Sequence, residues 1–259
     1  MSSEIIKSTR PFGAGDDIVQ DDFTLEIEGR KVPGIVWSPA AITGRRPLVL
    51  VGHGGSGHKA SNLVLNIMRP LVQRHGFVVA AIDGPVHGAR RKVFDDGVAV
   101  RKEFRELWAK GGSIDPMIAD WRATIDALCR RPDVDQQAIG WYGISMGTAY
   151  GLPLVAAEPR IKAAVLGMWG TCRPGSERLA SDGRKITCPV LFQQKSEDEF
   201  FTPEGEADVY EHLASRDKEL RIYPGKHVDP AGDQIDDAER FLAERLDSAS
   251  RMHHLAVSH

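Results

Sequence analysis

Cysteine is scarce in this chain, with only Cys129, Cys172 and Cys188 among 259 residues. Thiols so few and so scattered exclude a disulfide framework and a thiolate zinc site, and they fit a reducing, cytoplasmic setting. Neither sign of charge dominates: 33 Lys and Arg face 36 Asp and Glu, for a net charge of −3. A nucleic-acid partner needs a basic footprint, and none is present. Long apolar runs are missing as well. No segment approaches the roughly 20 apolar residues that span a bilayer, so no membrane partner is expected. The opening MSSEIIKSTRPFG carries no apolar stretch of the kind that marks a secretory leader. Repeats, low-complexity tracts and linker-like shifts are absent too. What remains is ordinary globular material, 42% hydrophobic and 27% charged, read as a single domain over 1–259.

Strand signals and helical stripes alternate along most of the chain. Phe23 to Glu28 alternates apolar with polar residues, as a half-buried strand does, and Val32 to Trp37 is its natural hairpin partner. Pro47 to Val51 and Phe77 to Ile82 are continuous apolar runs, which suit central strands covered on both faces. Ala138 to Tyr142, Ile161 to Met168, Pro189 to Gln193 and Glu219 to Tyr223 complete the strands. Leu63, Ile67 and Leu71 repeat at helical spacing behind Ser61 as a cap, with Gly76 as the stop. Asp115-Pro116 opens another helix, striped by Met117, Trp121, Ile125 and Leu128. Such alternation with short connections predicts an α/β fold, a mostly parallel central sheet with helices on both faces and an antiparallel pair at one edge. In such sheets ligands bind beyond the carboxyl ends of the strands, so reactive residues just after strands matter most.

One strand end carries Gly143-Ile144-Ser145-Met146-Gly147, the single G-x-S-x-G in the chain. Glycines two residues either side of the serine suit a strained strand-to-helix turn where larger side chains do not fit. That turn lifts the Ser145 hydroxyl above the sheet. It also leaves the Met146 N–H at a helix N-terminus, where it can stabilise an oxyanion. The pentapeptide alone also describes a plain Gly-Ser turn. The apolar strand before it and the helical stretch Thr148 to Glu158 after it favour a nucleophile, although Pro153 is expected to kink that helix or end its first part early.

A serine nucleophile needs a histidine base and an acid to orient it. Of nine histidines, His253, His254 and His259 sit in the C-terminal tail, and His75 and His212 fall in the last turns of expected helices. His227 instead follows a strand through Pro224-Gly225-Lys226, on the same rim as Ser145. The acid is expected after the strand Pro189 to Gln193. There Asp198 is preferred over Glu197 and Glu199, and Thr202-Pro203-Glu204 starts the next helix. Asp229 lies too near His227 in sequence. The bland alternatives are an exposed loop histidine and a solvated acidic turn.

The segment Gly52-His53-Gly54-Gly55-Ser56-Gly57-His58-Lys59 admits a phosphate loop or an oxyanion loop. Its glycine spacing fits the first, but His58 stands where the lysine should be. His-Gly-Gly directly after a strand suits the second, with Gly55 the preferred N–H donor and Ser56 next.

In these motifs and their order, the chain resembles an α/β-hydrolase of the esterase, dienelactone-hydrolase and prolyl-oligopeptidase-like group, from about Val32 to the final helix. Asp83-Gly84-Pro85-Val86-His87-Gly88 resembles that family's D-x-x-x-H-G loop, which implies structural roles for Asp83 and His87 behind the oxyanion side. The resemblance implies Ser145 as nucleophile, Asp198 as orienting acid, His227 as base, and no metal or organic cofactor. Only Gly170 to Ile186 lies where relatives insert a large lid domain, too short for one. The longer connection, Ala89 to Ser113, carries the stripe Val100, Phe104, Leu107 and Trp108, which packs on the core or overhangs the site. Trp108 and Trp169 are candidate pocket residues. Arg90, Arg91 and Lys92 are read as a solvated basic cluster rather than a carboxylate clamp.

The expected function is a serine esterase acting on small-molecule carboxylic esters through an acyl-enzyme, with short acyl groups favoured because no lid encloses a long chain. Lactones, dienelactones or thioesters would use the same triad. A non-catalytic binding protein on the same fold is the rival of another class, disfavoured because no triad member is missing. Oligomeric state is not legible.

Overall fold

Along the apolar runs, successive side chains enter opposite faces of one sheet. Leu48 and Leu50 join the core on one side while Val49 and Val51 join that on the other. Val78, Ala80 and Ile82 alternate in the same way with Val79 and Ala81. A run buried on both faces has no polar alternation to show, which is why these segments are continuously hydrophobic. The computed structural model describes residues 8–13, 17–93 and 97–257, with side chains as far as Asp247.

The strands are β1 (Ser8–Pro11), β2 (Ile18–Ile27), β3 (Arg30–Pro39), β4 (Arg46–Gly52), β5 (Val78–Ile82), β6 (Val134–Gly143), β7 (Ile161–Gly167), β8 (Val190–Lys195) and β9 (Lys218–Tyr223). They form one sheet in the order β1-β2-β3-β5-β4-β6-β7-β8-β9. Pairing is antiparallel from β1 to β3 and between β3 and β5, and parallel from there to β9. The predicted edge hairpin is β2 and β3, turning at Glu28 and Gly29 with positive φ at both. It is not the outermost pair, because the short β1 lies beyond it. Ser-Thr-Arg-Pro has no apolar alternation, so pattern reading passes over it.

The helices are α1 (Asn62–His75), α2 (Gly97–Lys110), α3 (Ile114–Leu128), α4 (Met146–Ala157), α5 (Glu177–Gly183), α6 (Pro203–Glu211) and α7 (Asp233–Val257). Helices α1 and α7 pack on one face. Buried residues of α2 to α6 join the core of the other. Gly76 ends α1 in the left-handed conformation, as expected. Ser61 does occupy the N-cap of α1, but its side chain makes no capping bond and its Oγ has no partner. It packs instead against the turn at Gly57, where an added Cβ would lie 2.6 Å from that Oγ. Pro153 does not end its helix. Helix α4 runs through it to Ala157, buried from Met146 to Val155, so packing around the helix outweighs one lost hydrogen bond. Thr202 caps α6, accepting from the Gly205 N–H at 3.1 Å with Pro203 in the first turn. His253, His254 and His259 lie outside the described side chains.

Candidate active site

Strand β6 ends beside β4 and β7 at the centre of the sheet, and α4 starts on the next turn. Ser145 sits on that turn with φ 59° and ψ −120°, a conformation costing a non-glycine residue about 1–3 kcal/mol. Its surroundings hold it there. The Ser145 N–H donates to Gly167 O at 3.0 Å, and the buried Thr148 hydroxyl lies 2.8 Å from Gly143 O and 2.7 Å from Gly167 O. The flanking glycines are required by close approach. A Cβ on Gly143 would lie 2.5 Å from Gly147 O, and one on Gly147 would lie 2.5 Å from Gly52 O.

Three strand ends meet around this serine. His227, after β9, brings Nε2 to 2.9 Å from Ser145 Oγ, and its Nδ1 lies 2.6 Å from Asp198 Oδ2, after β8. The other Asp198 oxygen accepts the N–H groups of Phe200 (2.8 Å) and Phe201 (3.0 Å). Burial opposes ionisation of Asp198, but the hydrogen bond and charge of His227 and these two N–H groups hold its carboxyl below the usual range. Of the alternatives, Glu199 accepts the backbone N–H of His227 at 2.9 Å and steadies the loop rather than the ring. Glu197 tethers the same loop through its backbone N–H to Gly225 O. Asp229 lines the cavity beside His227.

The opposite wall is the glycine-rich loop after β4. His53 is 1% exposed; its Nε2 accepts the Gly84 N–H at 2.8 Å, so its Nδ1 carries the proton and donates to Gly54 O at 2.8 Å. His87 is fully buried, its Nε2 3.2 Å from Gly55 O, and stacks edge-on against His53 at 4.8 Å. Burial pushes both imidazoles down, His53 to about 4 and His87 to about 2, so both are neutral. With the Gly54 and Gly55 carbonyls held by imidazoles, planar trans peptides turn the N–H groups of Gly55 and Ser56 away from them. Asp83 ties this wall together, bonding Lys59 Nζ at 2.6 Å, the Lys59 N–H at 3.0 Å and the Ala89 N–H at 2.8 Å.

Between the walls lies a cavity of about 570 Å³ holding Ser145, His227, Gly55 and Ser56. Trp108 and Trp169 both line it, their rings 5.1 Å apart. Their N–H groups point elsewhere, to Pro174 O at 3.0 Å and Ser176 Oγ at 3.1 Å, leaving apolar faces for a ligand. The stripe on α2 does both things it could: Phe104 and Trp108 are buried in the core and also line the cavity. Arg90 is not part of a solvated cluster. Its side chain is 8% exposed and pairs with Asp120 at 2.8 Å, while Arg91 pairs with Glu103 and donates to Val86 O. Sequence reasoning missed Arg101, Arg105, Arg173, Phe200 and Phe201 in the lining. The first two were within reach, since they share a helix with Phe104 and Trp108. Glu206, 1% exposed in the first turn of α6, was missed too; burial and then the charge of Asp198 push its carboxyl up to about 8.

Among the described residues no cluster of three or more His, Cys, Asp or Glu is placed to hold a metal ion. Nor is any helix among them long and apolar enough to cross a membrane.

A mostly parallel sheet of nine strands with a serine on a strained turn after a central strand defines an α/β-hydrolase. The chain belongs to the dienelactone hydrolase family, whose model matches residues 32–228, and it is a carboxylic ester hydrolase. It is similar to a cold-adapted esterase from an Arctic intertidal metagenomic library, solved bound to polyethylene glycol. Identity is 34% and the TM-score 0.81, over 95% of this chain and 100% of that one. The fold is shared with acetyl xylan esterase 1 from Thermoanaerobacterium sp. JW/SL YS485, at 17% identity and TM-score 0.69, over 94% and 88% of the two chains. It is also shared with a dienelactone hydrolase, described as putative, from Klebsiella pneumoniae, at 16% identity and TM-score 0.69 over 90% and 99%.

Proposed function

We propose that this enzyme hydrolyses small carboxylic esters through an acyl-enzyme on Ser145. The observation that carries this reading is the line of hydrogen bonds from Asp198 through His227 to Ser145 Oγ, opening on the cavity. His227 Nε2 takes the hydroxyl proton as Ser145 Oγ attacks the ester carbonyl, and Asp198 stabilises the imidazolium through Nδ1–H. The N–H groups of Met146, at the start of α4, and of Gly55 receive the oxyanion. The alkoxide leaves with the proton from His227. Water then attacks the acyl carbon, giving its proton to His227, and the acid departs with Ser145 restored. Lactones, as cyclic esters, would present the same carbonyl to the same groups.

Short acyl parts fit best, because Phe104, Trp108, Trp169 and Phe201 pack ring against ring along one part of the wall. Each methylene with a place to be buried contributes about 0.8 kcal/mol, and a chain that outgrows the cavity loses that gain. On p-nitrophenyl esters, kcat/KM should peak between acetyl and hexanoyl and fall by decanoyl; a preference for dodecanoyl would overturn the short-acyl reading alone. A fluorophosphonate probe tests the chemistry itself. One stoichiometric adduct on Ser145 is expected, and a folded protein that takes no adduct would instead be a binding protein. One continuous sheet carrying every triad loop supports a single working domain. The free thiols Cys129, Cys172 and Cys188 support a cytoplasmic site of action, which fractionation of producing cells checks.

A further inference from the structure

One indole stands where three glycines lack side chains. A Cβ on Gly151 would lie 2.1 Å from Trp141 Nε1, and one on Gly143 would lie 2.6 Å from the same nitrogen. A Cβ on Gly52 would lie 2.7 Å from Cζ2 of that ring. The three glycines belong to different elements: the end of β4, the end of β6 and the second turn of α4. Gly52 and Gly143 are register partners, so the two strand ends lie side by side where the Ser145 turn begins. Trp141 itself is fully buried, its ring 4.9 Å from that of Trp121, and it is not part of the Ser145 cavity lining.

Core stability alone is a poor reason for an indole here. Among the described residues its N–H has no hydrogen-bond partner, a cost that phenylalanine at the same place would avoid. Trp37, fully buried on the other face of the sheet, gives its N–H to Gln20 Oε1 at 3.1 Å. What Trp141 supplies is a rigid body between β4, β6 and α4, the elements whose mutual placement sets the Ser145 turn. That turn is strained, with φ at 59°, and a strained backbone relaxes into any slack that its surroundings leave. One flat, two-ring side chain filling all three glycine sites leaves little slack.

We infer that Trp141 is a positioning residue for the nucleophile: its indole, wedged against Gly52, Gly143 and Gly151, holds the Ser145 turn in the conformation that keeps Oγ in line with His227. The inference rests on the reading of Ser145 as the nucleophile. Because the ring lies outside the cavity lining, its effect falls on the chemical step and not on substrate binding. A reacting atom displaced by about 1 Å costs about a hundredfold in rate.

The test is Trp141→Phe, assayed on p-nitrophenyl butyrate with thermal melts alongside. Its kcat should fall about tenfold to a hundredfold with KM little changed, and the rate of fluorophosphonate labelling should fall in step. Trp37→Phe is the control. It removes the same atoms from the other core, so it should lower the melting temperature and leave kcat within about twofold of the parent. Refilling the space gives the sharper readout. The methyl of Gly151→Ala would enter the place of the indole atoms that Trp141→Leu removes, so Trp141→Leu/Gly151→Ala should exceed Trp141→Leu in kcat. In the parent that methyl would lie 2.1 Å from the ring, so Gly151→Ala alone should lower kcat, and it decides the matter if Trp141→Phe does not fold. A folded Trp141→Phe with parental kcat, or an unchanged kcat in Gly151→Ala, would overturn the inference. So would a refilled double variant that regains melting temperature but no kcat, because the indole would then only pack. Failure of the nucleophile reading looks different: the parent itself would take no fluorophosphonate on Ser145.

Discussion

The two walls around Ser145 use histidine in opposite ways. On one, His227 is 12% exposed at its side chain and lies between a carboxylate and a hydroxyl, so a proton arriving on the ring has a counter-charge waiting. On the other, His53 and His87 are buried and bonded to backbone groups, and burial holds them neutral far below physiological pH. In the proposed mechanism the same imidazole serves as a base in one place, and it is a fixed strut in the other. Its partners and its burial set the role, not its proximity to the serine. The carboxyls repeat the contrast, with Asp198 held ionised by donors and Glu206, buried close behind, held protonated.

The largest expected effect falls on the charged wall. Ser145→Ala should lower kcat by about 10⁴–10⁶ with the melting temperature little changed, and His227→Ala should do about the same, because members of one catalytic unit are not additive. Asp198→Asn should cost roughly 10⁴ by losing the productive tautomer. A near-neutral Asp198→Asn beside a crippled Glu199→Gln would move the acid to the neighbouring residue. The strut wall should respond more mildly. His87→Ala frees the Gly55 carbonyl and loosens the proposed oxyanion loop, so kcat should fall by about 10–10³ with KM little altered. An unchanged kcat in that folded variant would show that the imidazole does not set the loop.

The smallest effect concerns Glu206 and is read as stability. Its native carboxyl keeps a proton up to pH about 8, whereas the unfolded chain releases it near the ordinary glutamate value, about 4.5. Between those values the native state binds more protons, so this group lowers stability as pH rises. Glu206→Gln should therefore be more stable than the parent by roughly 1–3 kcal/mol at pH 8, and by little at pH 4.5. Urea unfolding at the two pH values measures this, and a pH-independent difference would mean that Glu206 is not held neutral.

Much of this site was legible because the chain uses local patterns that physics narrows to a few meanings. Gly143 and Gly147 around Ser145 are readable since no side chain fits so close to Gly147 O and Gly52 O. His227 and Asp198 followed from their positions just after strands, since parallel strands bring all their carboxyl ends to one rim. As a helix stop Pro153 misled, because its helix is judged by propensity when read alone, whereas in the fold it is packed on nearly every side. Arg90 misled for a related reason: its partner Asp120 lies 30 residues further on, beyond any local pattern.

The sequence by itself determined the alternation of strands and helices, the strained serine turn and the order of the candidate triad residues, because those depend on side-chain size, period and spacing within short windows. Only the tertiary structure decided that α2 lines the cavity, that His53 and His87 brace the Gly54–Gly55 peptides, and that three arginines meet over Phe200 and Phe201. Each of those is a meeting of segments far apart in the chain. Burial, which sets whether a histidine or a glutamate is charged, exists only once such segments have packed together.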